Sequence, residues 1–187
     1  MPIEGESLEA ISRKFCDKLN RLLAKTISAQ RIVFIGVREQ GAVIGFRQAG
    51  IPTTAKLRTR FGEMALSVGL LCGAASLRRN WFRLFVSEYR YTLTPTGSDD
   101  PLWRWEYVKK WPRHTDRWCR HHVQGNIPVA IGAHDISLND VHLPTGYVTL
   151  EEIIRFCLTD LRVKPLSREW HEILQRSYSE FKREPYS

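Results

Sequence analysis

From Trp81 onward the chain alternates with a period of two, and this alternation commits its middle to sheet. Phe82, Leu84 and Val86 alternate with Arg83, Phe85 and Ser87, and Tyr89 and Tyr91 continue the run. Residues 94–101, rich in Thr, Pro, Gly, Ser and Asp, punctuate it as a turn. In the next run Trp103, Trp105, Tyr107, Lys109 and Trp111 share one parity, and Leu102, Arg104, Glu106, Val108 and Lys110 the other. A third run, 117–124, puts Trp118, Arg120, His122 and Gln124 on one side and Cys119, His121 and Val123 on the other. Successive side chains of a strand leave opposite faces, so three such runs with short links predict an antiparallel meander over 81–124.

The flanks read as helix. Leu8, Ile11, Phe15, Leu19, Leu22, Leu23 and Ile27 recur at three- and four-residue steps, and Ser7 is placed to cap them. At the other end, Thr149 and Glu152 have the spacing of a capping box ahead of the stripe Leu150, Ile153, Ile154, Cys157, Leu158 and Leu161. A last stripe, Trp170, Ile173, Leu174, Tyr178 and Phe181, follows Ser167. Between these ends, 31–37 and 42–46 read as a hairpin. Residues from Pro52 to about Arg79 read as helical, with the uncharged run 64–77 as a buried core helix. The expected class is α+β: an antiparallel β-meander packed on amphipathic helices, with an N-terminal helix and an additional hairpin. One domain spans 1–187, with the N-terminal helix in 1–28 and the meander plus C-terminal helices in 81–187.

Composition narrows the function. A chain of 187 residues can bury a core without a disulfide or metal. Its four cysteines are scattered with no C-x-x-C pair, which excludes a zinc ribbon. The N-terminus carries Glu4, Glu6 and Glu9 in place of a basic segment, so no signal peptide is expected. The 14-residue run 64–77 is too short for a spanning helix, so a cytoplasmic location with no membrane partner is expected. No phosphate-loop motif is present and no cofactor is expected.

The formal charge is +8. Residues 29–146 hold 16 Lys and Arg against nine Asp and Glu, so nearly all the excess lies there. In the meander, cations interleave with aromatic residues, which is the composition of a surface that stacks and neutralises single-stranded nucleic acid. Arg104, Lys109, Lys110, Arg113, Arg117 and Arg120 are the candidate nucleic-acid-binding residues. The N-terminal stripe over 8–27 is a candidate docking face for a protein partner.

Histidine is the remaining anomaly, with five of six between 114 and 142. His122 shares a face with Arg120 and Gln124, and the short extended run around His142 can pair beside it. His122 and His142, with Asp140 or Asp116 as orienting carboxylate, are therefore candidate catalytic residues for acid–base chemistry near neutral pH. His121 leaves its strand on the opposite face.

Over 89–161 the chain resembles small uncharacterised bacterial proteins of toxin–antitoxin and defence loci. The matching features are Tyr89 and Tyr91, Arg104-Trp105, His121-His122 and the run from Leu143 to Glu152. The resemblance implies a small basic protein of such a system that binds nucleic acid through its Arg/Trp sheet. A protein–protein component docking through the N-terminal helix, or a small histidine-dependent nuclease or phosphodiesterase, are the alternatives.

Overall fold

In the computed structural model the described residues are 2–38, 41–108, 121–131, 134–139 and 142–182. In chain order they form β1 (Glu4–Gly5), α1 (Leu8–Thr26), β2 (Ile32–Arg38), β3 (Gly41–Gln48), β4 (Ile51–Pro52), β5 (Ala55–Thr59) and β6 (Gly62–Arg78). Then come β7 (Trp81–Pro95), β8 (Trp103–Val108), β9 (His121–Gln124), β10 (Pro128–Ile131), β11 (His134–Ser137), β12 (Leu143–Pro144), α2 (Leu150–Thr159) and α3 (Trp170–Lys182). The architecture is α+β: an antiparallel sheet ordered β12-β9-β8-β7-β6-β3-β2, with β10 and β11 as a separate pair.

The expected hairpin is β2–β3, and Gly36 sits at a bulge within it. The meander is β7–β8–β9, with its first two strands in unbroken register from Glu88↔Val108 to Leu93↔Trp103. The helical reading of 52–79 is corrected. That stretch forms β4, β5 and the 17-residue β6, the longest strand among the described residues. Met64, Leu66, Val68, Leu70 and Cys72 are buried, and the residues between them are not. A helix would spread those large residues around its circumference, whereas a strand collects all of them on one face. The intervening Ala65, Ser67 and Gly69 fall on the other face.

The helices share one side of the sheet. Ser7 caps α1 by accepting from the Ala10 N–H at 3.2 Å, and Thr149 with Glu152 forms the complete capping box of α2. Ile11, Leu19, Leu22 and Leu23 of α1 join Ile44 and Phe46 of β3, Leu66 and Leu70 of β6, and Ile153, Ile154 and Leu174 in one core. The apolar stripe over 8–27 is thus consumed inside the molecule, which corrects its reading as a docking face. α3 packs on α1 and α2. No helix of the described residues is long and apolar enough to cross a membrane.

The period-two burial of β6 makes a measurable prediction. Leu66→Ala removes a fully buried side chain and should cost about 2–5 kcal/mol in urea denaturation. Ser67→Ala, one residue on and facing the other way, should stay within about 0.5 kcal/mol. Equal costs at the two positions would contradict the register.

Candidate functional site

Directly opposed residues in antiparallel strands carry their side chains on the same face. On the helix-covered face, Leu93 opposes Trp103, Tyr91 opposes Trp105, Tyr89 opposes Tyr107, and Tyr107 opposes His121. Trp103 and Trp105 set their rings edge-on to Phe156 of α2, with centroids 5.3 and 5.5 Å away. These two tryptophans are core side chains under a helix and offer no open platform for base stacking. His121 lies among them, its ring stacked on Tyr107 at 4.1 Å with 4° between the planes. The Tyr89 hydroxyl accepts from the Val148 N–H at 3.0 Å and lies 3.2 Å from His121 Nδ1. Burial pushes the Tyr89 phenol up to about 12, so it stays protonated and able to donate to that nitrogen.

The opposite face has a different chemistry. One cross-strand row runs Gly45, Gly69, Arg90, Glu106, His122 and Pro144, through β3, β6, β7, β8, β9 and β12. At its centre the Glu106 carboxylate is ion-paired to Arg90, with Oε2 at 3.3 Å from Arg104 Nε and 3.5 Å from His122 Nε2. The residue is 8% exposed, a depth at which a carboxylate needs such partners to remain charged at tolerable cost.

His142 joins the row from outside. β12 pairs with β9 through Leu143↔Val123 and Pro144↔His122, and this brings the two imidazoles edge to face, centroids 4.7 Å apart. Gln124 completes the arrangement. With its amide oxygen turned to Arg104, it accepts from that guanidinium, at 2.7 Å from Nε, and donates to His142 Nε2 at 3.2 Å. That hydrogen bond assigns the lone pair of His142 to Nε2 and its proton to Nδ1. Partial burial, together with the neighbouring His122 and Arg104, holds the His142 pKa below its ordinary value near 6.5. The ring is neutral at pH 7 as a result, and the residue is exposed.

The structure therefore brings His122, His142 and Arg104 together but gives the first two different situations. His122 is 2% exposed, too deep to touch a substrate, and stands between Glu106 and His142. His142 faces solvent. Asp140, and with it Asp116, lies outside the described residues, as do Lys109, Lys110, Arg113, Arg117 and Arg120. Glu106 holds the place beside His122 that the sequence offered to an aspartate. Parity put Glu106 on the face of Arg104, but only the β8–β9 register sets it opposite His122. Among the described residues no group of three His, Cys, Asp or Glu side chains is arranged to hold a metal ion.

No family model and no solved structure matches the chain. It is similar to a 6-aminohexanoate-dimer hydrolase of Paenarthrobacter ureafaciens, 25% identical over 126 residues, which is 67% of this chain and 30% of that protein. The chain's match thus spans less than a third of that relative's length. This finding corrects the resemblance drawn from 89–161: the similarity found is to a hydrolase, and none links the chain to toxin–antitoxin or defence proteins.

Proposed function

We propose that the chain is a hydrolase that cuts phosphodiester bonds of nucleic acid, with His142 as its proton-transfer group. The observation that supports this reading is an exposed, neutral imidazole held from behind by buried Gln124 and His122, with the Glu106 carboxylate behind them. Such backing fixes the ring's orientation before a substrate arrives, which is how a positioned base gains over one in solution. In the step itself the Gln124 N–H gives up His142 Nε2 while the ring keeps its edge-to-face contact with His122, and a water oxygen forms its bond to phosphorus as its proton passes to that nitrogen. The bond from phosphorus to the leaving oxygen breaks, and the imidazolium returns the proton to that oxygen. Arg104 and Arg90, two cations sharing one carboxylate, supply the surplus positive charge that a phosphate requires. The net charge of the chain and the five cations within 109–120 add to the attraction. The similarity to a hydrolase agrees in reaction type, and the dimer of 6-aminohexanoate is accordingly the second compound to assay.

Turnover of a labelled single-stranded RNA tests the assignment. His142→Ala should lower the rate by about 10²–10⁴, the usual loss when a general acid–base group is removed. His122→Asn and Glu106→Gln should act through His142 and displace the pH profile as well as the rate. His121→Ala, on the aromatic side, should spare turnover per folded molecule and lower stability. Absence of cleavage of RNA and DNA, cleavage of the 6-aminohexanoate dimer alone, or full activity in His142→Ala would each overturn the reading.

The pH dependence carries a definite sign. Because His142 is depressed in the folded state, the unfolded chain takes up its proton first as the pH falls through 6.5. This residue consequently subtracts stability on acidification and contributes no change above that value. An NMR titration should place its midpoint below 6.5, with Arg104→Gln moving it up and Glu106→Gln moving it further down. A midpoint above 6.5 would contradict the described surroundings.

Binding should also fall with salt. On a single strand, log K should drop by about 0.7 per phosphate contacted for each tenfold rise in salt. Replacing Arg104, Arg117 and Arg120 together should flatten that slope. Affinity indifferent to salt would remove the electrostatic basis for a nucleic-acid substrate.

A further inference from the structure

The face that bears His142 also holds a cleft of about 370 Å³, lined by Arg38, Val43, Gly69, Leu71, Glu88, Arg90 and Glu106 among others. Its size falls in the lower part of the range of about 300–1,000 Å³ typical of small-molecule sites. It runs from Arg38 at the end of β2 across β3, β6, β7 and β8, and ends at Glu106, the carboxylate that backs the proposed catalytic histidine.

Gly69 makes the floor low without being needed for the fold. A Cβ on Gly45 would meet the Val68 carbonyl oxygen at 2.8 Å, so that glycine is sterically required, and one on Gly73 would enter the Phe85 ring and force that side chain to move. A Cβ on Gly69 would find nothing nearer than the Arg90 carbonyl oxygen at 3.8 Å, an ordinary contact. Glycine in a strand interior forfeits stability. At this position the strand carries one that its own packing does not demand, and the space above it belongs to the cleft.

The charges around the cleft are not evenly spread. Arg38 and Glu88 balance over the apolar floor, whereas at the Glu106 end Arg90 and Arg104 face a single carboxylate. The Arg90 side chain is 69% exposed and can meet a ligand from solvent. An occupant that fits has one anionic group at that end and a flat, weakly polar body over Val43, Gly69 and Leu71.

We propose that the cleft receives one nucleotide of a single-stranded nucleic acid, its phosphate at the Arg90–Arg104 pair and its base over Val43, Gly69 and Leu71. This rests on the hydrolytic reading above and names the part of the substrate that the sheet holds. The phosphate thereby lies at the Glu106 end of the cleft, one strand from His122 and on the side toward His142.

The test is equilibrium binding of a fluorescein-labelled five-nucleotide oligouridylate to the full chain carrying His142→Ala, which prevents cleavage during the measurement. Adding Gly69→Val should weaken binding at least about tenfold, a loss of about 1.4 kcal/mol, while the protein remains folded by circular dichroism. The same change should leave the affinity for an abasic oligomer of equal length within about twofold, because only the base is displaced. Arg90→Ala should weaken both oligomers. If Gly69→Val leaves oligouridylate binding unchanged, or weakens the abasic oligomer equally, the cleft assignment is wrong. Should Gly69→Val lose binding while His142→Ala still cleaves RNA, the cleft stands and the hydrolytic assignment falls. The reverse pattern removes the cleft and keeps the chemistry.

Discussion

Every other element depends on the pairing of β6 with β7. These two long strands pair from Met64↔Pro95 to Arg78↔Trp81, with register shifts between Leu71 and Cys72 and between Ser76 and Arg78, and in the turn that joins them Asn80 takes the left-handed conformation that asparagine tolerates. β3 attaches to the outer edge of β6 and β8 to the outer edge of β7, and β1 and β5 pair with the same two strands. Side-chain alternation along β6 then divides the molecule. Met64, Leu66, Val68, Leu70 and Cys72 give the helices something to bury against, and Ala65, Ser67 and Gly69 leave the reverse side shallow. A one-residue slip would exchange the two sets, so burial and the shallow face are specified by the same register.

That division explains how β9 can carry two adjacent histidines with unrelated surroundings. His121 enters an aromatic cluster with Tyr89, Tyr107 and Tyr147, and His122 enters a charged row with Glu106. The charged row is the costly half, because a buried carboxylate must be matched by cations and hydrogen-bond donors from several strands at once. Arg90 comes from β7, Arg104 from β8 and His122 from β9, so the site exists only when all three strands are aligned.

Much of this was legible in the sequence, though unequally. The β2–β3 hairpin, the Ser7 cap, the Thr149–Glu152 capping box and the meander, as far as it lies within the described residues, are local signals set by spacings of two to four residues, and they appear in the structure where the spacing put them. The extended run beside His142 was readable for the same reason. Residues 64–77 were not, because a charge-free run of that length satisfies a buried helix as well as a strand. The informative signal was the alternation of Met64, Leu66, Val68 and Leu70 with smaller residues. Glu106 was placed on the correct face by parity, but its partnership with His122 is a non-local register that no local spacing encodes. The apolar stripe of α1 reads in sequence as a surface on offer, and in the structure it is core.

The segment that delivers His142 is tied down at several successive points. Leu143 and Pro144 pair with β9, the Thr145 N–H donates to the His121 carbonyl at 2.8 Å, the Val148 N–H donates to the Tyr89 hydroxyl, and Thr149 begins α2. Peeling this segment from the sheet would unravel the start of a helix whose Ile153, Ile154 and Cys157 are in the core. The chain from 145 to 157 is thereby joined to the sheet and to the core, so its opening is coupled to the start of α2. His142 stands just outside that anchored stretch, at the exposed end of a two-residue edge strand, where the sheet sets its place without enclosing it.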